Sequence, residues 1–428
     1  MMVDKSRSLW SETATAASPR LALTGSHRAD VVIVGAGFTG LRAALELSES
    51  GLSVVVLEAG DVAHGASGRS GGQVNPMPPF NTPSQLRKLL GTEYAERLTN
   101  TSLQSADDLF ATVKKYQIDC QARQNGWLRV LHSAKALRNA ELGIREWNEN
   151  GAGMEIVGRT EVEKKSGTSA YQSGIITPRG GAVQPLSLSR GLAKAAEQRG
   201  VQIYSKSTVL SLDKSEGKWT ARTSSGSVLS ESVIIATNGY TGDLIPRLSK
   251  SIIPVTPIQI ATDPLPEEMI GSILPEGHTI SDSRRVIMYA RREPDNRLVY
   301  GSHGRVFGND TIDGVEWLIK DAERVFPQLK GVTWSYRWGG NIALTDDHLP
   351  HLHEPKPGLL VGLGYNGRGV AMSNVMGRVM AERVLGADPN SMPFPTSPIK
   401  EVPFRAIQIA GVGQAIWFLR LLDYLETR

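Results

Sequence analysis

The chain has 428 residues, 40% of them hydrophobic and 21% charged, with a net charge of +4. That balance fits a globular protein of two or three domains and excludes a disordered or membrane-spanning one. The basic excess is spread out, with no dense Lys/Arg run to suggest nucleic acid, and the single cysteine, Cys120, excludes an internal disulfide or a cysteine-built metal site.

Residues 1–29 hold no apolar stretch long enough for a secretory signal. They read as an exposed or clasping arm, and a cytoplasmic setting is expected. From Asp30 the pattern sharpens. "VVIV" reads as a buried strand, "FTGLRAALELSESG" as a helix closed at Gly51, and "SVVVLEAG" as a second strand. This is the strand, helix, strand of a parallel crossover. "GASGRSGGQ", Gly65 to Gln73, is too poor in side chains to pack a core but permits close backbone approach. A long helix, or two shorter ones, follows over 91–118, then a strand at "GWLRVLHS". "LSLSRGLAKAAEQRG" reads as a helix, and "VQIYSKSTVLSLD" and "SVIIATNGY" as strands.

From Ile252 the rhythm changes. "IIPVTPIQIATDPLP" is β-like but broken by prolines, which predicts edge or irregular strands. "RRVIMYARREPDNRLVYGS" reads as two strands joined at "PDN", and "DGVEWLIKDAERVF" as a helix. The block predicts an antiparallel sheet of a different domain. "GLLVGLGYNGRGVAMSNVMGRVMAERVLG" returns to strand, glycine loop and helix near the end.

Gly35, Gly37 and Gly40 fit G-x-G-x-x-G. The first allows a tight turn, the second close approach to a pyrophosphate, and the third close helix–strand packing. The helix start offers free N–H groups to phosphates. Glu58 lies 18 residues after Gly40, where a carboxylate accepts ribose hydroxyls and repels a 2′-phosphate. The motif alone does not separate NAD from FAD. Two further glycine-rich surfaces, "GASGRSGGQ" and "GLGYNGRGVAM", favour a flavin wrapped from several sides. Amides of Gly367, Arg368 and Gly369 opening a helix suit the negative charge of reduced flavin near N1 and the C2 carbonyl.

The stretches "ADVVIVGAGFTGLRAALELSESG", "GASGRSGGQ", "STVLSL", "IIATNGYTG", "RWGGNIALTDDHLPHL" and the terminal glycine-loop unit occur in this order from about Ala29 to Gly386. In them the chain resembles the FAD-dependent D-amino-acid-oxidase-like superfamily, and within it the branch of γ-glutamylputrescine oxidase and L-pipecolate oxidase. The resemblance implies an α/β fold: a Rossmann-like FAD-binding domain of discontinuous segments (30–80, 151–245 and 339–390) and an antiparallel-sheet substrate or cap domain (81–150 and 246–338). Residues 1–29 are then the arm and 391–428 a tail helix. The resemblance also implies adenine contact at Val209, cofactor contact at Ala236 and Asn238, and a run from Arg69 to Gln73 along the pyrophosphate and ring. The expected cofactor residues are Gly35, Gly37, Phe38, Thr39, Gly40, Glu58, Ala59, Ser67, Arg69, Ser70, Gly71, Gly72, Gln73, Val209, Ala236, Asn238, Gly364, Gly367, Arg368, Gly369 and Val370.

The implied reaction is oxidation of a C–N bond in a small amine or imino acid to an imine, by hydride transfer to flavin N5, with oxygen or a quinone as acceptor. One departure stands out. Glycine-oxidase-like members carry an arginine for the substrate carboxylate soon after the Trp–(small)–Gly stretch. Here Trp338, Gly339, Gly340, Asn341 and Ile342 bring none. Arg69, Arg179 or Arg291 are the alternative carboxylate partners, since a guanidinium binds carboxylate bidentately; otherwise the substrate is an amine. Tyr289, Arg291, Trp338 and Tyr365 are the expected substrate contacts, each also open to a packing reading. No general base is visible, and a neutral amine needs positioning more than an acid–base pair.

His348, His351 and His353 stand close in sequence but lack the spacing of a metal site. His64 is poorly spaced for covalent attachment, so noncovalent FAD is expected. In the tail, Arg405 to Arg420 is too short an apolar run to span a bilayer; a packed helix is expected, with an interfacial helix anchored by Trp417 and Phe418 as the alternative. Two other functions remain open from sequence: an NAD-dependent dehydrogenase, and a non-catalytic flavin-binding protein.

Overall fold

The computed structural model describes residues 8–304 and 314–426, apart from the side chains of 412–417 and 424. Its centre is a six-stranded sheet in the order His351–Lys356, Leu359–Leu363, Ser232–Ile235, Val31–Val34, Val54–Leu57, Gln202–Tyr204. The last five run parallel, and His351–Lys356 is an antiparallel edge. Val31–Val34 and Val54–Leu57 are apolar at every position because both faces are covered. Val31, Ile33, Val54 and Val56 pack on one side with the helical residues Leu41, Leu45 and Met376. Val32, Val34, Val55 and Leu57 pack on the other with Trp219 and Val228, which belong to a four-stranded sheet.

Helix Phe38–Glu49 turns nearly its whole surface inward. A Cβ at Gly377, on helix Gly369–Val384, would stand 2.4 Å from the Thr39 carbonyl oxygen, so the two helices meet backbone to backbone there. Arg42 bridges this layer, pairing with Glu46 at 2.6 Å and hydrogen bonding to Thr112 on helix Thr92–Lys115.

A nine-stranded, mostly antiparallel sheet forms the second body, with its own core around Ile258, Met288, Tyr300 and Phe326. The "PDN" hairpin is present as Met288–Arg292 and Leu298–Gly304. Two expectations change. Ile253–Thr262 is one continuous strand: Ile258–Ala261 has neighbours on both sides, while among the described residues Ile253–Val255 pairs on one side only, as the expected edge does. Its prolines are tolerated because Pro254 lies where one side has no partner strand among the described residues, and Pro257 falls between stretches paired with two different partners, Ile342–Leu344 and Trp334–Gly339. Residues 151–245 also divide: Glu155–Gly158 and Ser173–Thr177 join Trp127–Leu131 in the nine-stranded sheet. Conversely, Leu98, Ala106 and Leu109 of helix Thr92–Lys115, placed by sequence with the second domain, pack in the core under the parallel sheet.

The arm clasps. Leu9 and Trp10 are fully buried, and Gly25–Arg28 adds a parallel strand beside Gly226–Ser230. At the other end, helix Arg405–Glu426 is pinned by Asp423, which accepts the backbone N–H of Arg285 (3.1 Å) and of Val286 (3.0 Å). Phe404, Ile407 and Phe418 remain exposed, and the Trp417 side chain lies outside the described residues. No described helix is long and apolar enough to cross a membrane.

Candidate active site

The parallel strands end at a cavity of about 1220 Å³. Val34, Leu57 and Ile235, each at a strand's carboxyl end, form part of its wall, the place where open α/β sheets bind ligands. Gly37, Phe38 and Thr39 open helix Phe38–Glu49 onto it. Ser67 accepts the Phe38 N–H at 3.0 Å, so the "GASGRSGGQ" loop lies against the helix start. A Cβ at Gly37 would come within 2.8 Å of that hydroxyl. Gly40 is off the cavity; its Cβ would stand 2.0 Å from the Gly35 carbonyl oxygen, so its glycine serves helix–strand packing.

Glu58 ends its strand with both carboxylate oxygens engaged: the Ala36 N–H at 2.8 Å and the Gly60 N–H at 2.9 Å. A carboxylate has acceptor sites beyond these two. Glu58 and Ala59 line the cavity, as do Gly35, Ser67, Val209, Ala236 and Asn238. Asn238, at φ +42°, accepts the Gly364 N–H at 3.0 Å and ties the Ser232–Ile235 strand end to the second glycine loop. Gly364 itself stands behind the wall; Gly367, Arg368, Gly369 and Val370 are on it. They open helix Gly369–Val384, which like the first helix has no side-chain cap. Two helix starts whose N-cap residues give no side-chain bond thus present positive dipole ends and N–H groups to one cavity, the Phe38 N–H alone being met by Ser67.

Arg69, Ser70, Gly71, Gly72 and Gln73 continue the wall. Gln73 donates to the Ile280 and Ala290 carbonyls at 3.2 and 3.0 Å, joining this loop to the nine-stranded sheet. The sheet contributes Trp127, Arg129, Gln259, Tyr289 and His303 to the same cavity. The Tyr289 ring lies over Gly301 and Gly71, where a Cβ would stand 2.3 and 3.0 Å from it. Gln259 donates to its hydroxyl. Burial holds the Tyr289 phenol above its ordinary range against that hydrogen bond, and burial likewise lowers His303. Both groups are therefore uncharged near neutrality. Tyr365 is on the wall with its hydroxyl 2.7 Å from Thr39, which places it beside the first helix start.

Two expected substrate contacts are corrected. Arg291 is 1% exposed, bonded bidentately to Glu293 at 2.5 and 2.9 Å and donating to the Gly71, Gly72 and Val183 carbonyls. Its donors are consumed by the protein. Trp338 is fully buried, with its Nε1–H on the Arg69 carbonyl at 3.1 Å and its ring edge-on to Trp10 at 5.4 Å. Both brace the glycine loop from behind, aided by Trp10, which donates to the Ser70 carbonyl at 2.8 Å. Arg179 is off the cavity and paired with Asp107. Arg129 was missed. Its signal is its place two residues after Trp127 in a strand, where alternate side chains share a face.

His351 and His353 have local partners, Asp347 at 3.0 Å and the Ser397 carbonyl at 2.8 Å. His64 lines the cavity, and its carbonyl accepts the Arg69 Nε–H at 2.9 Å.

The lining suits an extended dinucleotide: a carboxylate at one strand end, two helix starts and glycines whose Cβ would intrude. A family model described as DAO, FAD dependent oxidoreductase, matches residues 30–383. Gamma-glutamylputrescine oxidoreductase of Escherichia coli (strain K12) is 33% identical over 434 residues, spanning 98% of this chain and 99% of that one. A probable oxidoreductase OrdL of Haemophilus influenzae is 34% identical over 374 residues, 86% of this chain and 85% of that one. Among solved structures, glycine oxidase from Geobacillus kaustophilus superposes with a TM-score of 0.74 at 23% identity, covering 88% of this chain and 99% of that one.

Proposed function

The chain belongs to the DAO family of FAD-dependent oxidoreductases, and from that premise we propose that it oxidises the C–N bond of a small amine or imino acid. One observation carries the reading. The cavity is continuous from the dinucleotide loops at Glu58 and Gly37 to a chamber walled by Trp127, Gln259 and Tyr289 of the other sheet. A cofactor held along the first part exposes its far end to a substrate held in the second.

The proposed holding residues follow the geometry. Glu58 takes the ribose, and Gly37, Phe38 and Thr39 the pyrophosphate. Val209 and Leu210 flank the adenine end, and Gly367 and Gly369 supply amides at the opposite end, the Arg368 N–H being held by the Tyr365 carbonyl at 2.8 Å. FAD, when bound, supplies the hydride acceptor that leaves an imine for water to hydrolyse. The chain's part is positioning. Tyr289 stays protonated and is fixed by Gln259. His303, kept neutral by burial, adds no charge. Tyr289, Gln259 and His303 offer an ammonium no negative charge, and Asp282 on the same wall is taken up by Arg284, Tyr171 and the Met288 N–H, so the chamber favours the neutral amine, the form able to lose hydride.

The reading extends to a γ-glutamylated polyamine or an L-pipecolate-like imino acid as substrate, supported by the similarity to gamma-glutamylputrescine oxidoreductase. Oxygen and a quinone are both suitable acceptors. A quinone route requires membrane contact, for which exposed Phe404 and Ile407 beside Arg405 offer the surface. The test is anaerobic flavin bleaching against γ-glutamylputrescine, putrescine, L-pipecolate, L-proline, sarcosine and glycine. Bleaching by at least one supports the reading, and recovery on readmitting air identifies oxygen as acceptor. A flavin that none of them bleaches, while dithionite does, contradicts it.

A further inference from the structure

Trp127 carries two guanidinium groups. The Cζ of Arg368 lies 4.4 Å from the centre of its ring, and that of Arg129 lies 6.0 Å away. The indole is fixed, buried and donating its Nε1–H to Ser281 at 2.9 Å. All three residues line the cavity.

The other arginines of this region have partners: Arg69 donates to the His64 and Gly339 carbonyls, and three more are paired with acids. Arg291 is held by Glu293, Arg284 by Asp282 and Asp321, and Arg285 by Asp423 and Glu426. Among the described residues, Arg129 and Arg368 have no ion pair and no side-chain hydrogen bond, and the Nε–H of each is buried without a partner. Leaving a buried donor unmet is costly, and more so for a charged group. Two like charges gathered at one ring add repulsion. Burial first, and then the charge of Arg129, pushes Arg368 down to about 9. Trp127 offsets part of this through its ring face, but an indole accepts no N–H hydrogen bond in the plane of a guanidinium. What the pair lacks is an oxyanion.

We propose that Arg129 and Arg368, braced by Trp127, form a receptor for a carboxylate of the substrate, so that this enzyme takes amines that also carry a carboxylate. The receptor replaces the arginine missing after Trp338, and draws one member from the nine-stranded sheet and one from the loop that opens helix Gly369–Val384. The inference rests on assigning this cavity to amine oxidation.

The test reads binding, not turnover. The FAD-loaded protein is titrated with acetate, succinate, glutarate and benzoate at ionic strength held constant with chloride. Flavin absorbance and heat of binding are both followed. The corresponding uncharged amides serve as controls. The acids are expected to bind at least about tenfold more tightly than their amides, since each such contact is a charge-assisted hydrogen bond. Arg129→Met and Arg368→Met should each weaken the acids at least about tenfold and leave the amides unmoved, with Arg129→Lys retaining part of the affinity. Equal binding of acids and amides to the unaltered protein overturns the receptor, whether or not any variant folds. So does acid binding undiminished in the Met variants, including the case where Arg368→Met shifts only the flavin potential. Acids that bind a protein whose flavin no amine bleaches would sink the oxidation reading and leave the receptor standing.

Discussion

Glu58 reaches back to Ala36, its Oε2 accepting the backbone N–H at 2.8 Å while Oε1 holds Gly60. One carboxylate thus fixes the glycine turn and the end of the next strand in the position proposed for the ribose. Glu58→Ala is expected to weaken FAD binding at least about tenfold, a loss equal to one charge-assisted hydrogen bond. Glu58→Gln should lose less, since it keeps one acceptor. Reconstitution of apoprotein, followed by flavin fluorescence, reads the difference.

Gly40 meets the Gly35 carbonyl oxygen where its Cβ would stand, at 2.0 Å. The neighbour is backbone and cannot swing aside. Gly40→Ala should therefore destabilise the protein by about 1–3 kcal/mol or more, as overpacked sites do, and thermal unfolding should show it even without FAD. Gly51, whose Cβ would meet nothing within 4 Å but whose φ is +83°, is the comparison: its alanine variant carries backbone strain without a clash.

Asp423 is 4% exposed and caps two backbone N–H groups next to the cavity-lining Arg284 and Arg285. Asp423→Ala strands the Val286 N–H and should cost about 1–3 kcal/mol. Limited proteolysis should then release the C-terminal helix before the rest of the chain unfolds. Release no faster than in the unaltered protein contradicts the pinning role.

His353 is buried, donating Nδ1–H to the Ser397 carbonyl, and burial lowers it to about 4. The folded protein keeps it neutral while the unfolded chain takes up a proton near pH 6.5. Stability from this group is thus complete above that value and falls as pH drops from about 6.5 to about 4. The melting temperature of His353→Gln should depend less on pH over that window than that of the unaltered chain. Equal slopes would remove His353 from the acid response.

The crossover around Gly35 was legible because glycine spacing, strand runs and helix periodicity all pointed one way. Sheet membership was not. Glu155–Gly158 and Ser173–Thr177 are short, and a short strand carries no mark of which sheet it joins. Trp338 was misjudged because the residue that buries it, Trp10, lies at the opposite end of the chain. The Arg291 pairing is readable in the sequence: Glu293 stands two residues on in an extended segment, on the same face and of opposite charge. Arg129 and Arg368 stand out only when every arginine has been matched to its acid, and that matching is three-dimensional.

Three side-chain-poor stretches, at Gly35, Gly65 and Gly367, are proposed to enclose one noncovalent FAD. Acid precipitation of the purified protein, with the flavin released to the supernatant identified and counted, tests it most directly. One FAD per chain is expected in solution, with a colourless pellet. A protein with no flavin absorbance, and none gained on reconstitution with FAD, would contradict it.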